Sequence, residues 1–150
     1  MAVLLAVSGL QVVALATVAG SASAASVVTG TGGEFVPVTG RLMDTSTGLG
    51  GYSTPMVANA WRSLQVGGLL GVPANASAVQ VTLTAVSPAA SGIIRVAPSG
   101  STSALSAVIF GSGPTPSSVS NTAIVPMVAN GKISVEATSA VRLIVDLQGV

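Results

Sequence analysis

The sequence contains neither cysteine nor histidine. Without cysteine there are no disulfides and no thiolate nucleophiles or ligands, and cysteine usage says nothing of the redox compartment. Without histidine the commonest general base and the commonest neutral metal ligand are missing. Charge is scarce as well. Lys and Arg number 5, Asp and Glu number 4, and the net charge is +1. That balance provides no field for steering toward nucleic acid. Aromatic residues are 3% of the chain, so the aromatic platforms that often line sugar clefts are few.

The four carboxylates are Glu34, Asp44, Glu136 and Asp146. Glycoside hydrolysis needs two of them facing each other across a cleft, and nothing in their spacing pairs them. Lys132 is the only lysine. It follows a hairpin-turn signal and reads as exposed, which argues against a Ser–Lys arrangement. Gly48, Leu49, Gly50 and Gly51 are not a phosphate loop, because no helix with a Lys-Ser or Lys-Thr pair follows. No acidic cluster offers calcium its oxygen ligands. The expectation is a chain with no catalytic residues, no metal and no cofactor.

What the chain does have is apolar content, 49%, with Val, Ala, Leu and Ile prominent and Ser, Thr and Gly filling much of the rest. Residues 1–33 carry no charged side chain. Met1 to Ala19 is a nearly continuous apolar run, and Ala22 and Ala24 fit a small-residue cleavage pattern. Residues 1–24 read as a signal-peptide-like leader, although no Lys or Arg stands near its start. The alternatives are an uncleaved anchor, the one route to a membrane, or a retained apolar arm packing in an assembly. Residues 25–33 read as a linker, and residues 34–150 as one folded module.

Within that module the apolar pattern has period two. Val79, Val81, Leu83 and Ala85 alternate with Gln80, Thr82 and Thr84. Gly92–Pro98, Leu105–Phe110 and Val119–Val125 follow as further strand-like runs. Ile133, Val135 and Ala137 alternate with polar neighbours, as do Val141, Leu143, Val145 and Leu147. Pro88 and Pro126 belong at strand ends, bulges or edges. Asn130-Gly131 between two such runs is a strong signal for a hairpin with a type I′ turn, with positive φ at both residues. No helical stripe longer than two turns occurs after residue 33. The pattern predicts an all-β fold, an antiparallel two-sheet sandwich of about eight short strands.

Several stretches occur together and in order: Phe35-Val36-Pro37-Val38, Arg41-Leu42-Met43-Asp44-Thr45, Gly48-Leu49-Gly50, Gly71-Val72-Pro73-Ala74 and Ala78 to Val86. Gly92 through Gly100, Val125-Pro126, Asn130 to Ser134 and Leu143 to Gly149 complete the set. In this the chain resembles a β repeat module common in secreted and cell-surface proteins of actinobacteria, over about residues 34–150. Departures occur at Ser46, where the module usually has Arg, at Thr82 and Ile109, where it has Asn, and at Arg142, where it has His. The resemblance implies an extracellular or cell-surface location and a β fold, with no assigned catalytic residues.

Arg41 and Asp44 stand three residues apart. On a regular strand they would face opposite ways; in a turn or bulge they could meet, as a structural pair or as a ligand contact with Thr45. Arg142 and Asp146 share one face of the last strand, as a solvated or edge-facing polar pair or as a partner surface. Tyr52 and Trp61 lie in the least patterned part, Gly51–Gly71, in a core or lid role or as a partner surface. The reading that follows is a non-catalytic accessory module for adhesion, attachment or spacing. Its partners would be cell-wall glycan or a neighbouring protein surface, with self-association included. The second reading is a structural subunit of a larger assembly such as a virion or surface filament. A glycan-active enzyme is a minor third.

Overall fold

The computed structural model describes residues 34–101, 103–113 and 117–150. The leader and linker read at residues 1–33 lie outside the described residues. Eight strands follow in chain order: β1 Pro37–Asp44, β2 Arg62–Gln65, β3 Ala78–Val86, β4 Gly92–Pro98, β5 Leu105–Phe110, β6 Ser118–Pro126, β7 Lys132–Ala137 and β8 Arg142–Gly149. They form two four-stranded sheets in the orders β1-β8-β3-β6 and β2-β7-β4-β5, with every ladder antiparallel. The expected all-β two-sheet architecture is the one the chain adopts.

Period-two alternation explains why the sheets face each other. In β3 the side chains of Val79, Val81, Leu83 and Ala85 are buried, while Gln80, Thr82 and Thr84 are half-buried on the other face. Leu143, Val145 and Leu147 continue the apolar layer on β8. The second sheet answers with Leu64, Ile94, Val96, Val108, Phe110, Ile133, Val135 and Ala137, all in the same core cluster. Each fully buried Val, Leu or Ile contributes about 1.5–3 kcal/mol relative to exposure. A one-residue slip in any of these strands would turn its whole apolar set to water.

Two strands escaped the period-two pattern. β2 is only four residues long and sits inside the Gly-rich stretch that carries no sustained alternation. In β1 the alternation is interrupted. Arg41 pairs with Asp146 and Met43 with Val145, so Leu42 is an extra residue without a partner. This bulge lets both Leu42 and Met43 enter the core. Gly50 packs directly under it. A Cβ there would stand 2.8 Å from the Leu42 carbonyl oxygen, and its φ of +81 suits glycine.

The hairpin expected at Asn130-Gly131 does not form. β6 pairs with β3 in one sheet, and β7 pairs with β2 and β4 in the other, so this turn carries the chain across the sandwich. Only Gly131 has positive φ, at +67. The N–H of Gly131 donates to the Val128 carbonyl at 2.8 Å, and the Asn130 side chain accepts from the N–H of Lys132 at 2.9 Å. The local turn chemistry is therefore present, but long-range ladder partners decide which sheet each strand joins. Only β4 and β5 are both consecutive and paired.

Candidate functional site

The bulge at Leu42 sets the geometry of the most polar part of the surface. With one extra residue between them, Arg41 and Asp44 come to the same side of β1. The Arg41 guanidinium donates from Nη1 to Asp44 Oδ2 at 3.2 Å. Its Nε and Nη2 donate to the two carboxylate oxygens of Asp146 at 2.9 and 3.4 Å. A planar fork meeting a carboxylate in this way fixes orientation as well as charge. Asp146 comes from β8, 105 positions along the chain, and the β1–β8 ladder brings it there.

Asp44 has a second partner. The N–H of Ser46 donates to its Oδ1 at 2.8 Å, closing the turn that leaves β1. That N–H bond first, and Arg41 after it, hold the carboxyl below the ordinary aspartate range, against the opposing effect of desolvation. The bond and the ion pair with Asp146 in turn hold the Arg41 guanidinium even more firmly protonated than an isolated one. Thr45 is fully buried. Its hydroxyl accepts from the Leu143 N–H at 3.0 Å, and its own N–H donates to the Leu143 carbonyl at 3.1 Å, extending the β1–β8 pairing by one residue. Arg142 donates to the Thr45 carbonyl and to the Ser46 hydroxyl, each at 3.3 Å.

Five of the residues singled out in the sequence thus gather around one strand end: Arg41, Asp44, Thr45, Arg142 and Asp146. Arg142 and Asp146 do lie on one face of β8, but they do not pair with each other; each bonds to the β1 side. Tyr52 and Trp61 belong elsewhere. The Tyr52 hydroxyl donates to the Ser63 carbonyl on β2 at 3.2 Å, beside the other sheet. The Tyr52 ring packs against the core and lies under the Arg62 guanidinium, 4.8 Å from its centroid. Trp61 is 43% exposed and is not a core residue. Tyr52 and Trp61, next to β2, and Arg142 and Asp146, on β8, therefore lie with different sheets.

Arg62, Arg95 and Thr122 were not picked out in the sequence, and Thr82 only as an outward strand residue and a departure from the module. Arg62 is buried and donates to the carbonyls of Thr54 and Pro55 at 2.8 and 2.6 Å and to the Thr54 hydroxyl at 3.1 Å. Arg95 pairs with the buried Glu136 at 3.1 Å across β4 and β7. Neither has a sequence signal, because each partner is set by register or by loop path.

Strand register extends the Arg41–Asp146 pair across the whole sheet. Arg41 is opposite Asp146, Asp146 is opposite Thr82, and Thr82 is opposite Thr122. The Thr82 and Thr122 hydroxyls are 3.0 Å apart, and in the adjacent row the hydroxyls of Thr84 and Ser120 are 2.8 Å apart. With strands about 4.8 Å apart, the row is about 14 Å long. A shallow groove beside it is lined by Thr39, Gly40, Arg41, Asp146, Leu147 and Gln148. The face offers hydroxyl donors and acceptors, the guanidiniums of Arg41 and Arg142, and the carboxylates of Asp44 and Asp146.

Among the described residues, three carboxylates are engaged by arginine: Asp44 and Asp146 by Arg41, and Glu136 by Arg95. No group of three or more acidic side chains suited to holding a metal ion occurs among them. No helix among them is long and apolar enough to cross a membrane. The chain matches no protein-family model, and it matches none of the curated proteins.

Proposed function

We propose that the chain is a secreted or cell-surface accessory module that attaches to cell-wall glycan through the outer face of the sheet β1-β8-β3-β6, and that it works by surface contact without catalysis of its own. The observation that carries this reading is the row Arg41, Asp146, Thr82 and Thr122, which runs across all four strands on one face. Paired hydroxyls backed by a fixed guanidinium–carboxylate pair suit the hydroxyl-rich surface of a polysaccharide, because each hydroxyl can both give and take a hydrogen bond while the guanidinium gives and the carboxylate takes. The non-catalytic part of the reading is supported by the engagement of Asp44, Asp146 and Glu136 with arginine. A general acid needs a carboxyl whose proton is retained near neutral pH, and Asp44 is shifted the other way.

The test is retention of the full chain on insoluble cell-wall polysaccharide at low and high salt. The expected result is retention at both, because Arg41 is already paired with Asp44 and Asp146, Arg142 is held by the Thr45 carbonyl and the Ser46 hydroxyl, and the remaining contacts are hydrogen bonds. Thr82→Val with Thr122→Val keeps the β-branched shape and removes two hydroxyls. At about 1 kcal/mol for each hydrogen bond lost, binding should weaken about tenfold or more. Elution by moderate salt, or unchanged binding by the double variant, would contradict the proposal.

A further inference from the structure

Two open sheets have four edge strands, and each edge presents unpaired backbone groups that another strand could use. Three of the edges here are defended. β1 starts at Pro37, carries Arg41 and Asp44, and is interrupted by two register shifts. β2 has four residues. β5 has six residues and a register shift opposite Ile94 and Arg95, and the Asn121 side chain donates to its Ala107 carbonyl at 2.8 Å.

β6 has a terminal proline but no charge, no register shift and no brevity to protect it. It is nine residues long and pairs with β3 residue for residue, from Ala78 opposite Pro126 to Val86 opposite Ser118, without a shift. Its only proline is its last residue, and Val119, Thr122, Ile124 and Val125 are strong strand formers. No charged residue occurs anywhere between Arg95 and Lys132. Val119 and Asn121 lie opposite the buried Ala85 and Leu83, yet both are exposed, and Ile124 on the other face is 65% exposed. Among the described residues no strand pairs with the outer edge of β6.

Charge selects the occupant. When two copies of one strand meet antiparallel about a twofold axis, residues near the axis face their own kind, and any charge there would face a like charge. β6 is free of charge along its whole length, so it can meet itself. A strongly charged partner would lose hydration against this edge and find no counter-charge. A net charge of +1 leaves little repulsion between whole copies.

We infer that the chain self-associates through β6, pairing antiparallel with β6 of a second copy about a twofold axis near Thr122, the central residue of the strand. The two β1-β8-β3-β6 sheets then become one continuous sheet. A twofold perpendicular to that sheet sets the outer faces of both copies on the same side. This inference stands apart from the glycan proposal, since it is read from molecular mass without any ligand.

The experiment is sedimentation velocity of the full chain over a dilution series. The wild type should show a dimer that dissociates on dilution. Thr122→Lys and Thr122→Glu should each sediment as monomers that keep the β-sheet circular dichroism of the wild type, because Thr122 is exposed on an edge strand. Mixed in equal amounts they should recover the dimer mass. A second measurement uses the absence of cysteine. Thr122→Cys should give a covalent dimer on mild oxidation, since directly opposed strand residues fall within disulfide reach, whereas Thr39→Cys on the β1 edge should not. A wild type that stays monomeric throughout, single variants that remain dimeric, a mixture that stays monomeric, or crosslinking at Thr39 in place of Thr122 would each overturn the inference.

Discussion

Arg41 and Asp44 meet on one face of β1, Nη1 to Oδ2 at 3.2 Å, because Leu42 is an unpaired bulge residue between them. Regular alternation would send them to opposite faces. The extra residue returns Met43 to the core and Asp44 to the side of Arg41 in a single step. The Arg41–Asp146 pair then anchors the row that crosses the sheet.

Deleting Leu42 should remove the bulge and leave Arg41 opposite Asp146, Met43 opposite Val145 and Asp44 opposite Ile144, each on its present face. What is lost is the Leu42 side chain, which the bulge adds to the core beside Met43. The expected loss is on the scale of emptying a large core position, about 2–5 kcal/mol, read as a lower denaturant midpoint. A deletion that folds with unchanged stability would show that the bulged Leu42 contributes nothing to the core.

Acid should weaken the turn after β1. The Asp44 carboxyl titrates lower in the folded chain than in the unfolded one, chiefly through the Ser46 N–H. As the pH falls, the unfolded chain therefore takes up its proton first. The contribution of Asp44 is complete above the ordinary aspartate pKa of about 3.9 and is lost as the pH drops through the lower folded value. Melting temperature should fall below about pH 4. In Asp44→Asn it should be lower at neutral pH and should fall less steeply in acid. Parallel acid limbs for the two proteins would contradict this assignment.

Much of the fold was legible because burial on one face imposes period two. β3, β7 and β8 show it plainly, and the inward positions expected at Val79, Val81, Leu83, Ile133, Val135, Leu143 and Leu147 are all fully buried. β1 was hidden by its bulge and β2 by its brevity. The division into sheets was not legible, because ladder partners are long-range. Asn130-Gly131 looks like a hairpin locally, yet β6 and β7 part there to different sheets. Of the site, the possible meeting of Arg41 with Asp44 could be read from spacing, and the shared face of Arg142 and Asp146 from alternation. That Asp146 would complete the Arg41 fork depends on the first strand pairing with the last, and nothing local encodes that.

Gly131→Val should destabilise the chain even though the turn is not a hairpin. The backbone there has φ +67, and a Cβ would stand 3.1 Å from the Gly67 Cα and 3.0 Å from the Gln65 side-chain nitrogen. A β-branched residue in that conformation is strained, and roughly 1 kcal/mol or more should be lost. Calorimetry of the variant checks it, and an unchanged melting temperature would place the strain elsewhere.

Arg62→Met should loosen the segment that leads into β2. Arg62 is buried and holds the carbonyls of Thr54 and Pro55 and the Thr54 hydroxyl. Hydrogen bonds from a charged donor are worth about 1.5–3 kcal/mol each in net terms, and methionine replaces the stem but none of the donors. A loss of about 2–3 kcal/mol is expected, on the scale of one such bond because the chain can relax. Faster amide exchange over residues 53–60 should accompany it. Retained protection in that segment would show that Arg62 is not what holds it.

Attachment by the outer face of β1-β8-β3-β6 can be read from backbone amide shifts of the full chain on addition of soluble cell-wall polysaccharide fragments. Perturbations should concentrate at Arg41, Thr82, Thr122 and Asp146, with the Trp61 and Arg95 side of the molecule unmoved. Perturbations centred on Trp61 and the second sheet, or none at saturating polysaccharide, would contradict it.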